Sequence, residues 1–371
     1  MYAVDLDATD KLISEYDSTF NEVDQLLATM DPESTPYKSK YAARLRLDEL
    51  CNKLEATKTI AVMEHREDVV DQMKWRIAHV KLQIGSISIE VEEPHNAQTD
   101  LDSAVDFYFP GLLFEINQRS GELTNQDSKG EENGLNEENI SIPQLELVSY
   151  PLPSVYLDAM KCLNMLGILW AGRGHHLRAL YFFYTAKEFY HIAIPSISST
   201  LLSSFESLFT HNLFYLAQAY GNIGNAQLSC QFCYETLKRQ VIQGFTCFSQ
   251  KLEWIKNASG IADYYLATNN YLNCWYALLS ADSVGQTIHQ EELDPTESEN
   301  FNEALINLQR KFIKLDVSIL RFAYELKQAE FEGILNHTES HSEVEQETSA
   351  EFYPGVQINV PSLHAPQHVS Y

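Results

Sequence analysis

The spacing of apolar positions predicts helices from the beginning of this chain. Leu12, Tyr16, Phe20, Val23 and Leu27 recur three or four residues apart, which predicts a short amphipathic helix over Lys11–Leu27. Asp31-Pro32 breaks that pattern. A second helix is expected over about Tyr37–Leu54, with Tyr41, Leu45, Leu47, Leu50 and Leu54 forming a rough apolar face.

Further along, one pattern repeats. Its clearest copy is Leu163, Leu166-Gly167, Trp170, Ala179, Phe183, Ala186. The same template fits Leu213, Leu216-Ala217, Tyr220, Ser229, Cys233, Thr236, and again Ala258, Ile261-Ala262, Tyr265, Cys274, Leu278, Ala281. An earlier, more degenerate copy reads Ile84-Gly85, Ala97, Leu101, Ala104, with Pro110 ending its second helix. Small residues in such a pair of helices let the backbones approach, and large ones fill the gap that remains. Four copies predict an all-α fold: a tetratricopeptide-repeat-like α-solenoid of antiparallel helix pairs, followed by a long helix. The anchors Gly85, Gly167, Ala217 and Ala262 lie 82, 50 and 45 residues apart, beyond the usual period of about 34, so the loops or helices must be extended.

The pattern divides the chain. Residues 1–35 are expected to be an acidic helix and linker, and 36–285 the helical repeats. Within the repeats, Asn117–Asn139 is polar and acidic and is expected to be a disordered insertion. Residues 286–300 read as an acidic linker, 301–335 as a long amphipathic helix, and 336–371 as a disordered acidic tail. In the long helix, Phe301, Leu305, Leu308, Phe312, Leu315, Ile319, Phe322 and Leu326 alternate four and three apart. Such a seam can form a coiled coil or pack onto the repeats. Packing is favoured, because phenylalanine is bulky for a coiled-coil seam.

Composition sharpens this picture. Hydrophobic residues are 44% and aromatic residues 11% of 371, enough for a substantial core. Only 15 Gly and 12 Pro argue against a β-rich fold with many turns. The net charge of −26 opposes nonspecific binding of nucleic acid or anionic membrane and favours a basic partner. No run of about 18 apolar residues and no apolar signal core stand in the sequence, so neither membrane insertion nor secretion is expected. Six cysteines without framework spacing suggest reduced thiols and a cytoplasmic protein.

Candidate chemistry is sparse. Cys230 and Cys233 form one CxxC without the second pair a zinc site needs, so packing is the favoured reading. His175-His176 points two ways from a turn and makes a poor metal pair. His211 has two open readings, facing a groove or bonding across a turn. No phosphate loop, nucleophile elbow or HExxH motif occurs, and no carboxylate pair stands in an apolar setting. No catalytic residue, metal or cofactor is expected, and the chain is not read as an enzyme.

Several blocks resemble a known family. Pro36-Tyr37-Lys38-Ser39-Lys40-Tyr41 with Ala43-Arg44, Asn164 with Leu166-Gly167-Ile168-Leu169-Trp170, Thr210-His211-Asn212-Leu213 with Tyr215-Leu216-Ala217-Gln218 and Tyr220, Thr236-Leu237-Lys238-Arg239-Gln240, and Glu253-Trp254 with Asn257-Ala258 follow the order found in the kinesin-binding protein family. The resemblance implies a repeat solenoid whose concave face engages the basic microtubule-binding surface of kinesin motor domains. It would thereby regulate their attachment to microtubules. It also implies a cytoskeleton-associated protein with roles in microtubule organisation and axonal transport or outgrowth. Members of the family are longer, so the resemblance implies a divergent member lacking most of the C-terminal half.

Repeat geometry lines the groove with each first helix, which nominates Asn164, Ile168, His211, Phe214, Gln218, Lys256, Ser259 and Asp263 as partner-binding residues. A monomer is favoured. One rival is a tetratricopeptide adaptor that clamps a C-terminal carboxylate, but the positions needing Lys and Asn hold Leu82, Phe214, Gln218 and Asp263. Another is a structural subunit of a larger assembly unrelated to kinesin, with the Phe301–Leu326 seam docking a partner helix.

Overall fold

A computed structural model describes residues 6–127, 150, 153–289 and 293–340. Among these residues there are twelve α-helices and no strand. They are α1 (Leu6–Leu27), α2 (Lys38–Met63), α3 (Glu67–Glu90), α4 (Pro94–Tyr108), α5 (Leu112–Asp127), α6 (Pro153–Gly172), α7 (His176–Ala193), α8 (Ser199–Asn222), α9 (Ala226–Gln243), α10 (Phe248–Ala267), α11 (Tyr271–Gly285) and α12 (Pro295–Ser340). The chain divides into two units, Met1–Leu315 and Asp316–Tyr371.

In the first unit, the four expected repeats are the pairs α3/α4, α6/α7, α8/α9 and α10/α11. Each second helix also packs on the first helix of the next pair, and α6 lies against both α3 and α8. This is the layering of a helical-repeat array, with α3, α6, α8 and α10 as the first helices. The close approach is visible at the glycines. A Cβ on Gly85 would fall 2.6 Å from Leu101 Cγ, and one on Gly167 would collide with the ring of Phe183. Leu101 and Phe183 are the large second-helix residues of the sequence template.

One turn recurs five times. It joins α2 to α3, α3 to α4, α6 to α7, α8 to α9 and α10 to α11. At each, a residue in the left-handed region stands two positions before the next helix: His65, Glu92, Gly174, Gly224 and Asn269. Its amide donates three residues back, and the following amide donates five residues back, as in Arg66 to Ala61, His175 to Trp170 and Asn270 to Tyr265. These are Schellman closures, which satisfy the last carbonyls of one helix while reversing the chain. Asn225 and Asn270 then cap the next helix through their side chains.

The periodicity needs correcting in α2, which extends to Met63. Its buried face is Ala43, Leu47, Leu50, Leu54 and Ala61, whereas Tyr41 and Leu45 are exposed. Tyr41 instead bonds Glu93 through its hydroxyl, beside the Arg44–Glu93 ion pair. The stretch 117–127, expected to be disordered, is helical as part of α5, because Leu112 and Ile116 anchor that helix in the core. Residues 128–139 lie outside the described residues, as do 341–371 of the expected tail.

The long helix begins at Pro295, inside the expected linker, where Asp294 accepts a bond from the Glu297 amide. Phe301, Leu308 and Leu315 are buried with α10 and α11 residues in one core cluster, and Leu305 and Phe312 are partly buried against it. Lys311 donates to the Ser259 carbonyl at 2.8 Å and to Asp263 at 2.7 Å. The seam to Leu315 therefore packs onto the repeats. In the second unit, the helix continues, and Ile319, Phe322 and Leu326 are exposed.

Candidate partner-binding groove

The first helices α6, α8 and α10 border a run of open cavities. Between α6 and α8 lies one of about 480 Å3, walled by Leu157, Asp158, Lys161, Ser207, Leu208 and His211. His211 and Phe214 also border a cavity of about 260 Å3 that reaches Glu253 on α10. Phe214 and Gln218 face another of about 500 Å3, which shares Gly221 and Asn257 with a last one bordered by Lys256 and Tyr264. Neighbouring cavities of the series share lining residues.

The structure sorts the eight nominated residues. His211 and Gln218 are exposed and Phe214 half-buried on α8, and Lys256 is exposed on α10. These four border the cavities. Ile168 is half-buried against the core and borders none of them. Asn164 is buried and bonds the Leu208 carbonyl at 3.2 Å. Ser259 is buried, and its carbonyl is held by Lys311, which also pairs with Asp263. Those two positions are engaged by α12. His211 bonds the Ser207 carbonyl at 2.8 Å through Nδ1, within α8 rather than across a turn. Its exposed ring still borders two cavities.

A polar cluster behind the α6 wall went unnoticed in the sequence. The Tyr16 hydroxyl bonds His79 Nδ1, and His79 Nε2 lies 3.9 Å from Asp158. Phe20 stacks on the His79 ring at 4.5 Å. Burial pushes the Asp158 carboxyl up to about 7, and burial pushes His79 down to about 4. These residues come from α1, α3 and α6, and no local motif links them.

The two cysteines of the CxxC pack against the core. Cys230 and Cys233 are free, and burial pushes the Cys233 thiol up to about 11. Among the described residues, no three His, Cys, Asp or Glu side chains are grouped to hold a metal ion. No helix among them is long and apolar enough to cross a membrane.

No family model matches the chain. Curated relatives do. It is 24% identical over 320 residues to the KIF-binding protein of Gallus gallus, covering 80% of this chain and 46% of that one. To the KIF-binding protein of Danio rerio it is 23% identical over 344 residues, covering 82% and 50%. To that of Mus musculus it is 27% identical over 277 residues, covering 69% and 41%. The chain thus spans about half the length of the curated relatives it matches. A solved structure, BtubC from P. vanneervenii, aligns with 10% identity over 76% of this chain and 94% of its own at a TM-score of 0.33, too low to carry an argument.

Proposed function

The chain is a divergent member of the KIF-binding protein family, and from that premise we propose that it is a scaffold that binds kinesin motor domains. The observation that carries this reading is the similarity to KIF-binding proteins over 80% of the chain. The groove along α6, α8 and α10 is the proposed contact surface, with His211, Phe214, Gln218 and Lys256 on it. The net charge of −26 suits a basic partner surface and predicts association that weakens with salt. By occupying the motor's microtubule-binding face, the chain regulates attachment to the track in the cytoplasm. Microtubule organisation and axonal transport or outgrowth follow as its proposed context.

Pull-down of purified kinesin motor domains at low salt tests the proposal, together with a microtubule-gliding assay at excess protein. Capture that fades with salt, and gliding that changes, are expected. Unaltered gliding with no capture refutes it.

A second reading is favoured by one observation. Ile319, Phe322 and Leu326 remain exposed on one helix of the second unit, as a structural subunit docking a partner helix would require. Light scattering with and without residues 316–371 distinguishes a self-associating chain from a monomer.

A further inference from the structure

Asp158 is hard to account for as a purely structural residue. Its side chain is only 22% exposed, yet among the described residues it accepts no hydrogen bond. His79 Nε2 lies 3.9 Å away, and that ring is already bonded to Tyr16 through its other nitrogen. Burial holds that imidazole down at about 4, which disfavours its charged form as a partner for the carboxylate. Lys161, one turn along α6, lowers the carboxyl's pKa, but its ammonium is held by Gln83 at 3.2 Å. The Coulombic attraction of such a carboxylate for a cation is stronger than that of one on open surface, because less water screens it.

The cavity in front of Asp158 supplies the rest of a receptor. Leu157 and Leu208 line it with apolar surface suited to a methylene stem, and Ser203, Ser204 and Ser207 line it with hydroxyls that can accept from a cation. Its volume of about 480 Å3 lies within the range of ligand pockets. No divalent-cation cage is formed there, since no group of three ligating side chains exists among the described residues.

We propose that the cavity between α6 and α8 takes a lysine or arginine side chain from a protein partner and pairs it with Asp158. The inference deepens the proposed motor-domain reading, resting on it for the partner's identity but not for the chemistry. The titratable groups around the carboxylate are Tyr16 on α1, His79 on α3, Tyr108 on α4, Lys161 and Cys162 on α6, and His211 on α8 across the cavity. A cation entering the cavity displaces the proton that Asp158 carries near neutrality, so binding strengthens as pH rises from 6 to 8. His211 also borders the cavity, which requires its own variant.

The test compares the full chain with its Asp158→Asn and His211→Gln variants against two probes: a kinesin motor domain, and an unrelated peptide rich in lysine and arginine. Fluorescence anisotropy at pH 6, 7 and 8 is the readout. Asp158→Asn is expected to weaken binding about tenfold at pH 8 and to flatten the pH profile, whereas His211→Gln retains most of the rise. Asparagine keeps the shape, and a thermal melt checks folding. Equal affinity of wild type and Asp158→Asn for both probes, with the same pH profile, overturns the inference. If the motor domain fails to bind wild type while the peptide binds through Asp158, the motor-domain reading falls and the cavity assignment stands. If neither probe binds the wild type at pH 8, both fall.

Discussion

Asn212 of α8 donates through its side-chain amide to Asn164 Oδ1 of α6 at 2.8 Å, and the same nitrogen reaches the Phe183 carbonyl of α7 at 3.0 Å. Asn164 in turn donates to the Leu208 carbonyl. Two consecutive repeats are therefore joined by buried amides rather than by apolar packing alone. Replacing Asn212 by Ala leaves the Asn164 oxygen without its donor in a dry site, and about 2–3 kcal/mol of stability is expected to be lost. Chemical denaturation measures this. A loss below about 0.5 kcal/mol would show that the bridge contributes little.

Among the described glycines, Gly167 is the one whose added Cβ would meet a neighbour, Phe183, most closely. Ala at 167 gains helix propensity but drives a methyl into the ring, so Gly167→Ala is expected to destabilise by about 1–2 kcal/mol net. Gly260 of α10 has nothing within 4 Å of an added Cβ, and Gly260→Ala is expected to stabilise by up to about 1 kcal/mol. Thermal melts of both variants decide the matter. The same sign for both would contradict the crossing geometry.

The five Schellman turns are not equally comfortable. Glu92 holds φ at 61° where Gly174 holds 79°, and a Cβ in that region costs about 1–2 kcal/mol. Glu92→Gly is expected to gain about 0.5 kcal/mol after the entropic cost of glycine, and Gly174→Ala to lose about 1 kcal/mol. Shifts in the denaturation midpoint in the reverse order would count against left-handed strain as the cause.

The buried pair His79 and Asp158 makes a signed pH prediction. In the native state, one group takes up a proton near pH 7 and the other near pH 4. In the unfolded chain, the histidine does so near 6.5 and the aspartate near 3.8. The pair's two contributions nearly cancel, whichever residue carries the proton. Single variants unmask them. In Asp158→Asn, the depressed His79 alone lowers stability as pH falls from about 6.5 to 4. In His79→Gln, the raised Asp158 carboxyl alone lowers stability as pH rises from about 4 to 7. Each effect is expected to reach about 2–3 kcal/mol. Urea denaturation across pH 4–7.5 should give slopes of opposite sign for the two variants, relative to wild type. Slopes of one sign would refute the coupling.

Much of the repeat array was legible because its signals are local. Leu166-Gly167 and Trp170 share one helix, and Ala179, Phe183 and Ala186 share the next, so spacing alone reports a close-packed pair. The heptad seam was equally readable, but its division was not. Phe301 and Phe322 occupy equivalent positions in the pattern, yet the first is buried and the second 45% exposed. The nominated partner-binding residues are sorted only by the fold. His211, Phe214, Gln218 and Lys256 border cavities, while Asn164, Ser259 and Asp263 are engaged by neighbouring helices. Asn164 reads as polar and therefore as available; its partner Asn212 lies 48 residues away.

The sequence by itself determined that the chain is built of helix pairs and where their small and large residues meet. Those properties depend on residues within one or two turns of each other. Tertiary structure alone decided which polar groups face solvent, because burial depends on segments far apart in the chain. Lys311 covers Ser259 and Asp263 across about fifty residues, and Tyr16 reaches His79 across 63. That His211, Phe214, Gln218 and Lys256 border cavities, and that Asp158 shares one with His211, emerges only after such contacts have engaged the others.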